Sequence, residues 1–300
     1  MENRALSTQL QNIHLRRIEW AISSPDLMDY PFCANYFRDA THKDSVSKLL
    51  AELDAKSEAV HAHFNGLRHM PMGKYFEQLL LFILDKDPRF EVLLANHQII
   101  EDKTTIGELD IILKDLQSNT VQHWEICLKY YLQSQPTTEQ QMMLGPGAKD
   151  NMDRKVRKLI DHQIKLSQHP SIKYLIGTEN IESKLFMKGQ LFYHLGQKEV
   201  IALDVNPRSE TGYWCFHSGL KTMLSKKHKY LIINKPNWIE KQLLESDSEL
   251  DSLSEITNKI NIYFNTQSKA LLLVGLSETP NGWEEQTRGF IVADGWPLIM

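Results

Sequence analysis

Three carboxylates stand in apolar surroundings in this sequence, and their types and order suit one chemistry. Glu77 lies in KYFEQLLLFIL, between Phe76 and the run LLLFIL, where an ionised carboxylate buried without a partner would be costly. Asp110 lies in GELDIIL, flanked by Leu109, Ile111 and Ile112. Glu125 lies in HWEICLKYYL; side chains alternate along a strand, so Glu125, Cys127 and Lys129 share one face, with Trp124, Ile126 and Leu128 on the other. Two carboxylates from neighbouring strands and one from a preceding helix suit a hard divalent cation, because Mg²⁺ prefers oxygen ligands and keeps several waters. A nearby lysine can activate the attacking water or stabilise charge developing on a phosphate. Asp110 and Glu125 are therefore expected to hold Mg²⁺ or Mn²⁺. Glu77 would bind the ion directly or through water, and Lys129 would assist the nucleophile.

The elements that must position these groups follow from periodicity and punctuation. Val46, Leu50, Leu53, Val60 and Phe64 recur at helical spacing and give one apolar stripe from Asp44 onward. Pro71 and Pro88 bracket a second helix over about 71–85. FEVLLANHQII, GELDIILKD and VQHWEICLKYYL are rich in β-branched, aromatic and leucine residues and read as three strands, the last two joined by the polar loop LQSNT as a hairpin. After the GPG turn at 145–147, a helix of about twenty residues is expected before Pro170. Its stripe is Met152, Val156, Leu159, Ile160 and Leu166, with Asp150–Arg154 and Asp153–Arg157 as i,i+4 pairs. Gln163 falls on that stripe and should face inward. SKLFMKGQLFYHL, EVIALDV, GYWCFHS, KYLIINKP, ALLLVGL and RGFIVADGWP read as further strands, and the acidic stretch 245–255 reads as a solvated loop or helix start. The organisation expected is α/β: a helical extension over 1–70, a core over 71–175 and a strand-rich region over 176–300.

Composition narrows the classes. The 300 residues are 42% hydrophobic and 24% charged, enough apolar material for a core and unlike a disordered or fibrous chain. A net charge of −4 means that nucleic acid must be met by a local basic surface. Lys149, Arg154, Lys155 and Lys158 are placed for this, whereas Lys221, Lys226, Lys227, His228 and Lys229 read as a solvated loop. The three cysteines, Cys33, Cys127 and Cys215, are too few and too scattered for a disulfide framework and suit a reducing compartment. The N-terminal residues lack the apolar core of a signal peptide, and the longest apolar runs are too short to span a bilayer. A cytoplasmic protein with no membrane partner is expected. His61 and His63 cannot share a helix face, and no Cys/His spacing suits zinc. Walker A, GxSxG and GxGxxG patterns are absent from the sequence, so ATP, α/β-hydrolase and dinucleotide chemistry lack support.

At the carboxylates the chain resembles the PD-(D/E)xK nuclease superfamily. GELDIIL is similar to its second-strand motif and WEICLK to its third, with Glu77 at the position of the acidic residue on the preceding helix. The segment carrying His162 and Gln163 matches the following helix, where related nucleases place a glutamine. Over a longer span, LGPGAKD (144–150), HQIKLS (162–167), NKPNWI (234–239) and RGFIVADGWP (288–297) resemble a bacterial family, domain of unknown function 1853, that has been linked to the superfamily by fold. The resemblance implies a restriction-endonuclease-like core, a divalent metal and hydrolysis of nucleic acid, with DNA as the expected polymer. Gln163 joins Glu77, Asp110, Glu125 and Lys129 as an expected site residue. One position departs from the pattern: Cys127 stands where Glu-x-Lys requires lysine. Lys129 lies two residues further on, its Cα about 13 Å from that of Glu125 where the motif gives about 7 Å. A non-catalytic member that keeps the fold and binds nucleic acid or a protein partner is the alternative.

Overall fold

The structure is a computed structural model, and it describes residues 10–67 and 69–297. In chain order the elements are helices α1 (Ile13–Ser23), α2 (Ala40–Asp54), α3 (Ser57–Asn65) and α4 (Met72–Lys86), then strands β1 (Phe90–Glu101), β2 (Thr104–Asp115) and β3 (Thr120–Gln133). The short β4 (Met143–Leu144), α5 (Met152–Asp161), α6 (Pro170–Ile176), β5 (Ile181–His194), β6 (Thr211–Phe216) and α7 (Leu220–Met223) follow. The chain ends with β7 (Lys229–Ile233), β8 (Leu243–Leu244), α8 (Leu253–Phe264), β9 (Leu271–Thr279) and β10 (Gly282–Val292). This is an α/β protein with mixed strand pairing. Among the described residues no helix is long and apolar enough to cross a membrane.

The chain divides into two compact units that alternate along the sequence. The first takes in the chain up to Leu128 together with Val156–Lys188; the second takes in Lys129–Lys155 and the chain from Gly189 on. In the first unit the strand order is β1-β2-β3-β5, and β1–β2 and β2–β3 are antiparallel. Trp124 stacks on Phe186 at 5.4 Å and meets Phe90 edge-on, and Phe76 of α4 packs on Phe186. A separate apolar cluster joins Ile99, Leu109 and Ile112 to Leu166, Ile172 and Ile181. Leu166 lies so close over Gly107 that a Cβ there would come within 2.6 Å of it. A buried ionic network closes the far end of the unit. Arg89 donates to Asp115 at 2.6 Å and to the Tyr36 carbonyl at 2.7 Å, while Asp87 accepts from Tyr36 Oη at 2.7 Å and meets His42 Nε2 at 2.9 Å. Burial works to raise the Asp115 carboxyl, but the hydrogen bonds from Arg89 outweigh it and hold the group below the ordinary carboxylate range.

In the second unit the order is β5-β6-β10-β9-β7, with β4 on β3 and β8 on β10. β5–β6 and β6–β10 are parallel, and β9 pairs antiparallel with both β10 and β7. One of its core clusters joins Cys215, Leu220, Tyr230, Leu253, Ile256, Ile260, Leu273 and Ile291. α8 begins at a capping box, Ser252 with Glu255, where the acidic stretch ends.

Most expected elements are present, and four readings are corrected. The stripe from Asp44 to Phe64 is interrupted after Asp54, so it spans two helices. The helix expected to reach Pro170 stops at Asp161 and is continued by a 3-10 turn, Gln163–Gln168. Asp150 does not pair with Arg154; it takes the Lys129 ammonium instead. EVIALDV is not a strand: Asp204 has φ 58°, Ile201 and Leu203 are exposed, and the segment's polar backbone is met piecemeal by Gln133, Thr138 and Gln140.

Gly189 is where β5 needs glycine. Its φ is +144°, and a Cβ would lie 1.6 Å from the Lys129 carbonyl oxygen. The conformation alone costs a non-glycine residue roughly 1–3 kcal/mol, before the backbone is pushed aside. Gly66, at φ −68° with open space around it, is the control. Gly189→Ala should lower the melting temperature severely, while Gly66→Ala should leave it unchanged or raise it; equal melting of the two would refute this account of β5.

Candidate active site

The β2–β3 ladder runs from Asp115↔Thr120 to Ile111↔Trp124. One step further, the same register sets Asp110 across from Glu125, and directly opposed residues of an antiparallel pair share a face. There the main chain gives way to a side chain: Asp110 Oδ2 accepts the Ile126 amide hydrogen at 2.8 Å. Glu125 Oε1 accepts from Gln163 Nε2 at 2.6 Å. Gln163 reaches it because the chain leaves α5 after Asp161 and tightens into the 3-10 turn beside β2. Asp110, Glu125 and Glu77 are all buried.

Glu77 projects from α4, and its carboxyl is raised above its ordinary value. Burial is the main cause; the hydrogen bond from Lys74 offsets part of it, and the Asp110 charge adds to it. The helix acid and the β2 acid are therefore close enough for their charges to interact. Gln163 joins Glu125 directly. Lys129 belongs to the second unit, which β3 enters at Leu128/Lys129, and its ammonium is held by Asp150 at 2.6 Å. Cys127 is buried and outside any disulfide. Lys149, Arg154 and Lys158 are exposed and Lys155 is half-buried. Arg154 turns its guanidinium back onto the Lys149 carbonyl at 2.5 Å.

Two residues that the sequence reading passed over belong here. Lys74 bridges Glu77 Oε2 at 2.8 Å and Glu108 Oε1 at 2.7 Å and reaches Asn96 Oδ1 at 3.1 Å. Burial opposes its charge, yet the Glu108 and Glu77 carboxylates more than compensate and hold the ammonium above the ordinary lysine range. Lys74 is a cation that the fold sets between Glu77 and Glu108. The only sequence signal for it was its place one helical turn before Glu77. His123 is fully buried two residues before Glu125, its Nε2 3.7 Å from Glu125 Oε2. Burial lowers its pKa to about 4, only partly opposed by the Ile164 backbone, so the ring is neutral at physiological pH. Alternation placed His123 on the Glu125 face, but nothing in the sequence marked it as sealed from water.

The chemistry open to this arrangement is that of oxygen donors. Among the described residues no three His, Cys, Asp or Glu side chains form a ready metal-binding group. The donors on hand are the opposed carboxylates of Asp110 and Glu125, each held by a hydrogen-bond donor, and Glu77, which feels the Asp110 charge.

The family model described as Domain of unknown function (DUF1853) matches residues 16–292. The chain belongs to that family. The DUF1853 match spans both compact units and takes in every site residue discussed above. No curated protein and no solved structure matches the chain.

Two titrations check the electrostatics. Removing the offsetting cation in Lys74→Met should raise the Glu77 pKa further, and removing the like charge in Asp110→Asn should lower it, both followed by carbon-13 resonances of the Glu77 carboxyl. A Glu77 that titrates normally in the parent protein would contradict the site as described. His123 gives the second. The unfolded chain takes up its proton near 6.5 and the folded chain only near about 4. The contribution of neutral His123 is therefore fully present above the unfolded value and lost as pH falls through that window, on the order of 3 kcal/mol. Denaturant unfolding between pH 7 and pH 4 should show this loss, and His123→Gln should flatten it.

Proposed function

We propose that the chain is a divalent-metal-dependent nuclease whose first unit carries a PD-(D/E)xK-like core. The observation that supports this most is the opposition of Asp110 and Glu125 at the point where the β2–β3 ladder opens, each carboxylate fixed by its own donor. Mg²⁺ or Mn²⁺ needs only one or two protein carboxylates and fills its remaining positions with water, so this pair fits the ion. Bound there, the ion supplies an acidified water and a Lewis acid for the phosphoryl oxygen. The chain's own residues do the positioning. The Ile126 amide turns Asp110, Gln163 turns Glu125, and Glu77, whose carboxyl feels the Asp110 charge, would bind the ion or one of its waters. Lys74 keeps Glu77 and Glu108 from repelling each other and so keeps the acids of the site close.

A second reading has its own support: Cys127 stands where the resemblance calls for lysine, and Lys129 is engaged by Asp150. This favours a protein that keeps the fold and binds nucleic acid or a protein partner without cutting.

The deciding experiment is cleavage of labelled single- and double-stranded DNA and RNA with Mg²⁺ and with Mn²⁺, alongside calorimetry of each metal. The nuclease reading expects metal-dependent cleavage that falls about a hundredfold or more in Asp110→Asn and in Glu125→Gln, with weaker metal binding in both. Metal affinity and cleavage that survive Asp110→Asn would sink it. Nucleic-acid binding without cleavage on any substrate would establish the second reading.

A further inference from the structure

Lys74 is a cation held among three side-chain oxygens. An ammonium has three hydrogens to donate, and three acceptors meet this one: Glu77 Oε2 at 2.8 Å, Glu108 Oε1 at 2.7 Å and Asn96 Oδ1 at 3.1 Å. They come from three different elements, α4, β2 and β1. With each N–H committed, Lys74 has none left for a substrate phosphate or an attacking water. What it contributes is its charge and the position it fills. The side chain is 44% exposed, so burial does not shut solution ions out of that position.

The position adjoins the carboxylates of the candidate active site. Glu108 and Asp110 are two apart in β2 and share a face of the strand. Asn96 falls between the pairs Ala95↔Ile111 and His97↔Leu109, level with Asp110. Two carboxylate oxygens and an amide oxygen are also donors that a hard divalent ion takes, with water completing its shell. Such an ion holds its oxygens at about 2.1 Å, so the three would have to close in by roughly 0.6–1.0 Å. That movement is open to them. Asn96 is exposed, and the other oxygen of Glu108 is held only by Gln98 Nε2 at 3.3 Å. Lys74 competes from one helical turn before Glu77, as a tethered cation that dilution does not remove.

We propose that Lys74 is a resident second cation: its ammonium fills the position between Glu77, Glu108 and Asn96 that a second divalent ion would otherwise take, and so limits the site to one metal ion, at Asp110 and Glu125. This rests on the metal reading of Asp110 and Glu125, and the experiment separates the two.

The test counts Mn²⁺ bound to the full chain near neutral pH without substrate, so it reads the same whether or not the protein cuts. Titration is followed by the electron paramagnetic resonance signal of the free ion, with circular dichroism to check the fold of each variant. The parent protein should bind one ion, lost in Asp110→Asn. Lys74→Met should bind one more, and adding Glu108→Gln to it should weaken that extra ion by about tenfold or more. Lys74→Arg, which keeps the charge, should count like the parent protein. Lys74→Gln, a second neutral replacement, should count like Lys74→Met. Two ions on the parent protein, or no extra ion in either neutral variant, would overturn the inference. If the parent ion were still lost in Asp110→Asn, the metal site of Asp110 and Glu125 would stand without it. An extra ion in Lys74→Met over a parent protein that binds none would support the role of Lys74 and refute the metal site instead.

Discussion

Charge taken out of water must be met inside the fold, and that requirement shapes the arrangement of both units. Burying an ion costs several kcal/mol unless a partner and well-placed hydrogen bonds compensate. In the first unit Arg89 is met by Asp115 and the Tyr36 carbonyl, and Lys188 by Asp26 and the Ser24 carbonyl. In the second, Arg288 is met by Glu285 and two main-chain carbonyls. Each arrangement ties together segments far apart in sequence, so the partners dictate how loops and strand ends must run. The pairings are unequal in character. Arg89, with a planar fork of donors, satisfies a carboxylate and a carbonyl at once, whereas Lys188 keeps a lowered pKa because burial outweighs the attraction of Asp26.

The carboxylate site is the same constraint met differently. Asp110 and Glu125 face each other with neutral donors, a main-chain amide and a glutamine, on the oxygens described. Neutral donors fix the geometry of a carboxylate without cancelling its charge. Lys74 cancels charge one shell further out, at Glu77 and Glu108. That division, orientation by neutral groups inside and neutralisation by a lysine outside, is what makes two opposed buried acids tolerable.

How much of this could be read from the residues depended on whether the cause was local. The strands carrying Asp110 and Glu125 were legible because β-branched and leucine-rich runs bounded by polar turns have few other uses. The hairpin loop then set their register, and with it the opposition of the two acids. Gln163 was placed facing inward by helical periodicity, and it does turn inward, although by way of a 3-10 turn. Its hydrogen bond to Glu125 spans 38 positions and leaves no periodic trace between them. Lys74 was missed for the same reason: two of its three partners come from β1 and β2. EVIALDV misled because a short apolar run signals a strand only when a neighbour offers a ladder. Here the neighbouring 133–140 segment supplies scattered hydrogen bonds instead, and Leu203 is left in solvent. The identity of Lys129 was visible but its partner was not, since Asp150 reaches it through a turn whose shape depends on Trp296, far along the chain.

The alternation of the two units along the sequence bears on how the molecule can come into being. Neither unit is a contiguous stretch: the first is completed only by Val156–Lys188, and the second takes in Lys129–Lys155 long before the rest of it is made. During synthesis the Asp110–Glu125 strands can pair early, yet Gln163 and Leu166 must emerge before their far side is covered. The 129–155 segment meanwhile has to wait for β5, its neighbour in the sheet, and for Trp214 and Trp238, which share hydrogen bonds with Gln133 and Tyr130. Non-local pairing of this kind is slow and leaves apolar strand edges open in the interim. A nascent chain of this design therefore stays dependent on protection from aggregation until β10 has been made, and no single cut in the chain releases either unit whole.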